Sequence, residues 1–248
     1  MRFLKLTAAI AIGAMATCAR AADIKVICSN GFAAVMQELG PQYERATGHK
    51  LIVSYGLAAV LSKAIEGGEA FDVTILAPPQ IDALIQQGKI AADTRTVLAR
   101  SGIGVMVRSG APKPDISTVD AFKRALLNAK SIGYVEQGQT GIYLKDLFVR
   151  LGIADELKSK IKLAPTAAAE FVANGEAEIG MTQISEILPF AGADLVGPLP
   201  ADIQLYTSFA GANGTATKQP EAGKALFKFL VAPDTAKIMK AKGLEPAS

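Results

Sequence analysis

From Ile24 onward the chain alternates short β-rich runs with helical stretches, and it completes that cycle twice, with a longer extended segment after each pass. Such alternation is the pattern of parallel α/β sheets, because neighbouring parallel strands need a crossover and a helix supplies it. In the first pass IKVICS is a strand, and the helix from Gly31 to about Thr47 sets Phe32, Val35, Met36, Leu39 and Tyr43 at helical spacing before Gly48 ends it. KLIVSYG is a second strand and LAAVLSKAIEGG a helix closed by Gly67 and Gly68. FDVTILA is a third strand. In the helix PPQIDALIQQG both prolines stand at the start, where a missing N–H costs nothing.

The β-rich run VLARSGIGVMVRSG, residues 97–110, breaks this rhythm and leads into the Pro-rich segment APKPDIS. The cycle then restarts with helix TVDAFKRALLNA, strand SIGYVE, a helix from Gly141 to Leu151, strand KIKLA, helix TAAAEFVANG and strand AEIGMTQ. A second extended run, DIQLYTSFAG, precedes two C-terminal helices, GKALFKFLVA and PDTAKIMKAKG. Two α/β halves joined by two extended segments predict two lobes with two crossings. The first lobe takes residues 22–101 and a C-terminal return, 204–248; the second takes 102–203. Ligands of open α/β sheets sit beyond the carboxyl ends of the strands, so the strand-to-helix turns should line a cleft between the lobes.

Four such turns carry polar or glycine-rich residues. Cys28-Ser29-Asn30-Gly31-Phe32 closes the first strand, and its Ser29 or Asn30 either caps the helix or turns to a ligand while the free N–H groups take the negative charge. Ser54-Tyr55-Gly56-Leu57-Ala58 repeats the arrangement, with Tyr55 either closing over a ligand or packing at the surface. Glu136-Gln137-Gly138-Gln139-Thr140-Gly141 precedes a helix as an anion-wrapping loop or an ordinary turn, and Met181-Thr182-Gln183-Ile184-Ser185 sets an amide and two hydroxyls at a strand end. All four fall at strand ends in the two halves, which is what lifts them above chance. Arg100 and Arg108 lie in the first crossing run. Arg100, nearer the expected cleft, is a candidate for bidentate pairing with a ligand carboxylate or for a salt bridge; for Arg108 the salt bridge is the stronger expectation.

Composition narrows the function. MRFLKLTAAIAIGAMATCARA has a basic start, a short apolar run and an Ala19-Arg20-Ala21 end, the layout of a leader cleaved after residue 21 and too short to span a membrane. Thr17 ahead of Cys18 argues against a lipid-anchor site. The chain holds 26 basic and 23 acidic residues, and losing the leader removes Arg2, Lys5 and Arg20 but no acid, which leaves 23 of each. No global basic field remains for nucleic acid or an anionic membrane, so anion recognition must be local. Only Cys28 survives cleavage, which excludes an internal disulfide and a multi-cysteine metal site, and suits an exported protein of the bacterial periplasm. The sequence has no Walker A loop, G-x-G-x-x-G, G-x-S-x-G, HExxH or C-x-x-C, and its one histidine, His49, falls at the start of a strand, away from the expected cleft. No metal or cofactor is implied. Should the chain be an enzyme, its acid/base candidates are Tyr55, Glu136 and Cys28.

The stretches LSKAIEGGEAFDVTILAPPQID, VLARSGIGVMV, TGIYLKDLFVRLGI, FVANGEAEIGMTQISEI and ALFKFLVAPDTAKIMKAKGLEP resemble, in register, the bacterial periplasmic solute-binding proteins related to the molybdate-binding proteins of ABC transporters. The resemblance implies the type II periplasmic-binding fold, an anion bound between two lobes by Ser29, Asn30, Gly31, Tyr55, Leu57, Ala58, Arg100, Thr140, Gly141, Thr182 and Gln183, and delivery to an ABC permease. In the molybdate subgroup a serine pair after the second strand and a late tyrosine supply ligand hydroxyls. Here those places hold Leu57-Ala58-Ala59 and Thr182-Gln183, which turns the expectation from an oxyanion toward a small carboxylate. The same fold also serves periplasmic isomerases of unsaturated tricarboxylic acids such as aconitate isomerase, which is the alternative function.

Overall fold

A computed structural model describes residues 21–247. The expected leader lies, apart from Ala21, outside the described residues. The first pass folds as β1 (Asp23–Ser29), α1 (Asn30–Thr47), β2 (Lys50–Gly56), α2 (Ala58–Glu66), β3 (Val73–Leu76) and α3 (Pro78–Gln86). The long run is a single strand, β4 (Thr96–Arg108). The second pass gives α4 (Val119–Asn128), β5 (Ile132–Tyr134), α5 (Gln139–Arg150), α6 (Ala154–Leu157), β6 (Ile161–Leu163), α7 (Ala168–Ala173), β7 (Ile179–Gln183), α8 (Ile184–Ile187) and β8 (Ala193–Pro198). The return consists of β9 (Tyr206–Asn213), α9 (Pro220–Leu230), α10 (Ala236–Ala241) and β10 (Glu245–Pro246).

The strands hydrogen-bond in the order β2-β1-β3-β9-β4-β7-β5-β6, with β10 and β8 each added to β4. β2, β1 and β3 run parallel, as do β6, β5 and β7, so each half gathers its strand C-termini at one edge. β3 is buried along its whole length, so VTIL is apolar except for Thr74, whose hydroxyl donates to the Ile27 carbonyl, whereas β2 at the edge alternates exposed and partly buried positions over its first residues.

β4 holds the halves together by changing partners. Its first part, through Gly102, pairs with β9, while Ile103 to Val107 pair with β7. The chain recrosses just before β9, where the Gln204 side chain bonds the backbone of Ile103. The apolar cores follow the same division. On one side Phe32, Leu39, Ile75, Phe209 and Leu226 form a cluster and Ile65, Leu76, Ile81 and Leu84 a second. On the other, Val105, Phe122, Leu144 and Phe148 pack as one group and Met106, Val172 and Ile187 as another. The molecule therefore has two lobes, each a helix-covered sheet with its own interior.

Among the described residues no helix is long and apolar enough to cross a membrane. Four elements were not anticipated from sequence: α6, α8, β8 and β10; α6, α8 and β10 are too short for periodicity to show, and β8, ADLVGP, carries neither a clear alternation nor an unbroken apolar run.

Candidate functional site

Parallel pairing puts Ser29 beside Gly56 and Cys28 beside both Tyr55 and Ile75, so three strands of the first lobe end level with one another. The helices that follow, α1, α2 and α3, start from that line. In the second lobe Tyr134 pairs with Leu163, and β7 lies on the other flank of β5. Six strand-to-helix turns, three from each lobe, contribute to one cleft with a volume of about 420 Å³.

The lining is polar without cations. Ser29 and Asn30 come from the first turn, Tyr55, Leu57, Ala58 and Ala59 from the second, and Gln80 from the third. The opposite lobe adds Gln137 to Thr140, Thr166 to Ala169, and Thr182, Gln183, Ser185 and Glu186. Ala33, Ala34, Ile142, Pro189 and Phe190 give the cleft apolar walls. Among the described residues no lysine, arginine or histidine lines it, and Glu186 is its one carboxyl group.

Positive potential in such a site comes from main-chain dipoles. The long helices α1, α2 and α5 begin at Ser29, Leu57 and Gly138, and none of these positions makes a side-chain cap. α4, which starts elsewhere, is capped by Thr118, whose hydroxyl accepts from the Ala121 N–H. The cleft helices thus leave first-turn N–H groups without a side-chain cap, each end carrying roughly half a positive charge. α3 contributes less, because Pro78 and Pro79 lack an N–H.

Three side-chain atoms of cleft residues, Gln80 Oε1, Gln183 Oε1 and Ser185 Oγ, are buried without a hydrogen-bond partner. Gln183 is 7% exposed and Ser185 3%. Buried polar atoms without partners are costly, and their clustering in one cleft marks it as a place that receives polar groups. The Thr182 hydroxyl, by contrast, donates to the Glu186 carboxylate.

Ser29, Asn30, Tyr55, Leu57, Ala58, Thr140, Thr182 and Gln183 are thus brought together. Gly31 and Gly141 lie immediately behind the wall and shape it. A Cβ on Gly31 would come within 2.5 Å of the Phe209 ring, and one on Gly141 within 2.1 Å of the Val135 carbonyl oxygen. Burial pushes the Tyr55 phenol up to about 12, so the ring faces the cleft as a neutral hydrogen-bonding group.

Three candidates are corrected. Arg100 does not reach the cleft; its guanidinium bonds Glu245 at 2.7 Å and stacks on the Tyr206 ring at 4.4 Å. Glu136 does not line the cleft either and forms an ion pair with Lys145 at 3.0 Å. Cys28 is 0% exposed, and its burial raises the thiol far above the range in which a thiolate forms, which removes it as a nucleophile. Arg108 is exposed and outside the cleft, and His49 accepts from the Ala22 N–H and stacks on Tyr43.

Glu186 was the main omission from the sequence reading. It is the third residue of α8, accepts from the Gln183 backbone N–H and the Thr182 hydroxyl, and is held above the usual carboxylate range by burial. The one available signal was Gln183 followed three residues later by Glu186, the spacing by which a helix N-terminus is closed.

Residues 24–245 match the family model described as bacterial extracellular solute-binding protein. The chain is 35% identical over 230 residues to the aconitate isomerase of a Pseudomonas species, covering 90% of this chain and 87% of that one. It is 27% identical over 247 residues to a molybdate-binding protein of Azotobacter vinelandii, 96% of each chain. The solved periplasmic molybdate-binding protein of Azotobacter vinelandii shares the fold, with a TM-score of 0.76 at 20% identity over 91% of this chain and 100% of that one.

Proposed function

Because the chain belongs to the family of bacterial extracellular solute-binding proteins, we propose that its cleft captures a small organic carboxylate in the periplasm and presents it to an ABC permease. The observation that carries this reading is the pairing of helix N-termini lacking side-chain caps with a cation-free lining. Such a site stabilises an anion through N–H groups and neutral side chains. The size of the cleft favours an organic acid over a bare tetrahedral oxyanion. At about 30 Å³ per water-sized group, 420 Å³ holds on the order of a dozen heavy atoms. The alanines at 33, 34, 58 and 59, with Ile142 and Phe190, suit a carbon skeleton.

Thermal unfolding in the presence of succinate, citrate, trans-aconitate, sulfate and molybdate tests the proposal. A bound carboxylate stabilises by mass action, about 2.7 kcal/mol at a hundredfold excess over Kd. A shift with molybdate or sulfate and none with any carboxylate overturns the reading.

A second reading, isomerisation of an unsaturated tricarboxylic acid, is favoured by a specific feature: Glu186 is a carboxyl group inside the cleft, where a base must stand. The 35% identity to an aconitate isomerase supports it. In that case Glu186 takes a proton from one carbon of the bound acid and returns one at another, with no co-reactant. Incubation with trans-aconitate separates the two readings. Turnover to the cis isomer, lost in Glu186→Gln, supports the isomerase, and stoichiometric occupancy without product supports the binder.

A further inference from the structure

A carboxyl group facing an anion site needs an explanation. The other polar lining residues are neutral amides and hydroxyls, which together with the main-chain N–H groups can donate to a negative ligand, whereas an ionised Glu186 opposes one. Its own partners do not neutralise it. Thr182 and the Gln183 N–H supply hydrogen bonds and no charge.

The elements packed against α8 are α1, β4, β7 and β8, and the turn at Gly243 after α10 abuts Ile184; of the lysines flanking that turn Lys240 is exposed and Lys242 is committed to Glu38. β7 contains no ionisable residue. On β8 Asp194 is already bound by Ser109 and the Gly110 N–H, at the end of β4 opposite Ile103. On β4 Arg100 is committed to Glu245, and Arg108 is exposed at the far end of the strand. α1 turns Asn30, Ala33, Ala34 and Gln37 to the cleft, and its Glu38 pairs with Lys242 at 2.9 Å. Across the cleft the only other titratable lining group is the phenol of Tyr55. Among the described residues Glu186 thus has no cation to hold its charge, and burial already favours its protonated form.

We propose that the cleft takes up one proton from solvent together with its anion, held between the Glu186 carboxyl and an oxygen of the ligand. The inference rests on the carboxylate-capture reading and deepens it. A protonated Glu186 donates a hydrogen bond where an ionised one repels, so the same residue turns from an obstacle into a ligand. Capture is therefore stronger in mildly acidic surroundings and weakens as the surroundings become alkaline.

Calorimetric titration of the whole protein with citrate and with succinate, in phosphate and in Tris, reads the proton directly. Where Glu186 is ionised in the free protein, the expected wild-type result is uptake of about one proton per ligand, with Kd rising by up to about tenfold per pH unit as the pH climbs beyond the ordinary carboxylate range. Glu186→Gln, which keeps the shape and a neutral donor, should bind with an affinity flat over that climb and tighter than wild type at its alkaline end. The buffer dependence of the wild type stands without the variant, should Glu186→Gln fold poorly. Binding without proton uptake, or an unchanged pH slope in Glu186→Gln, overturns this inference and leaves the capture reading intact. No binding heat with either acid overturns the capture reading, and the proton linkage with it.

Discussion

The side-chain amide of Gln204 bonds both main-chain groups of Ile103, each at 2.9 Å, at the residue where β4 passes from one lobe to the other. Its Oε1 also accepts from the Leu205 N–H at 2.9 Å, so one side chain ties the two crossing strands together. Ile103 keeps a second partner for each group, its N–H on the Leu205 carbonyl at 3.2 Å and its carbonyl on the Leu199 N–H at 3.1 Å, so Gln204→Ala is expected to cost about 0.5–1.5 kcal/mol. Urea unfolding checks it: the midpoint should fall at unchanged slope. A changed slope would mean that the lobes no longer unfold as one unit.

Gly141 admits no side chain. Its Cβ would meet the carbonyl oxygens of Val135 at 2.1 Å and Glu136 at 2.7 Å, both backbone atoms that cannot swing aside. Gly141→Ala should lower stability by about 1–3 kcal/mol, in the range of overpacked interiors, and displace the α5 N-terminus from the cleft. Stabilisation by the best carboxylate of the thermal screen should shrink in parallel. A variant with wild-type unfolding and wild-type ligand response would show that the turn tolerates a shift.

Arg100→Ala should leave carboxylate binding unchanged, because the guanidinium is engaged by Glu245 and Tyr206 outside the cleft. The ion pair is about half exposed on both sides, so its loss should cost less than about 1 kcal/mol. Isothermal titration decides the point. A large loss of affinity would put the side chain back among the ligand contacts.

The contrast between Arg100 and Ser29 shows where sequence stops being informative. The turns holding Ser29, Leu57, Gly138 and Gln183 were legible because a parallel strand followed by a helix fixes where the turn must lie. Arg100 was legible as a residue of the crossing strand but not in its orientation. That is set by Glu245, 145 residues further on, and by Tyr206, neither of which local periodicity can locate. Glu186 escaped for two reasons. α8 is only four residues long, and a carboxylate is the last group expected in an anion site. The unpartnered atoms of Gln183 and Ser185 are likewise a property of the folded packing, which no local sequence pattern carries.

Cys28 provides a chemical check on the buried end of β1. With the side chain fully enclosed and the thiolate strongly disfavoured, native protein should resist iodoacetamide at this position. Peptide mapping should find the Cys28 peptide unmodified until urea unfolds the chain. Ready alkylation in the native state would show that the strand end opens to solvent.

Glu186 should also leave a mark on stability. Burial raises its folded value above the ordinary 4.5, so between those two values the folded chain holds a proton that the unfolded chain has lost. The favourable contribution is complete below 4.5 and disappears as pH climbs through the folded value, because the ionised form is the one that burial penalises. Glu186→Gln removes the penalty, so its urea midpoint should exceed that of the wild type near about pH 8, and the gap should close as the pH falls toward the ordinary carboxylate range. A gap of constant size across that range would mean that the substitution acts through packing around Thr182 rather than through the charge. The protein would then tolerate an ionised Glu186 without cost, which is difficult to reconcile with a carboxylate that has no cation beside it.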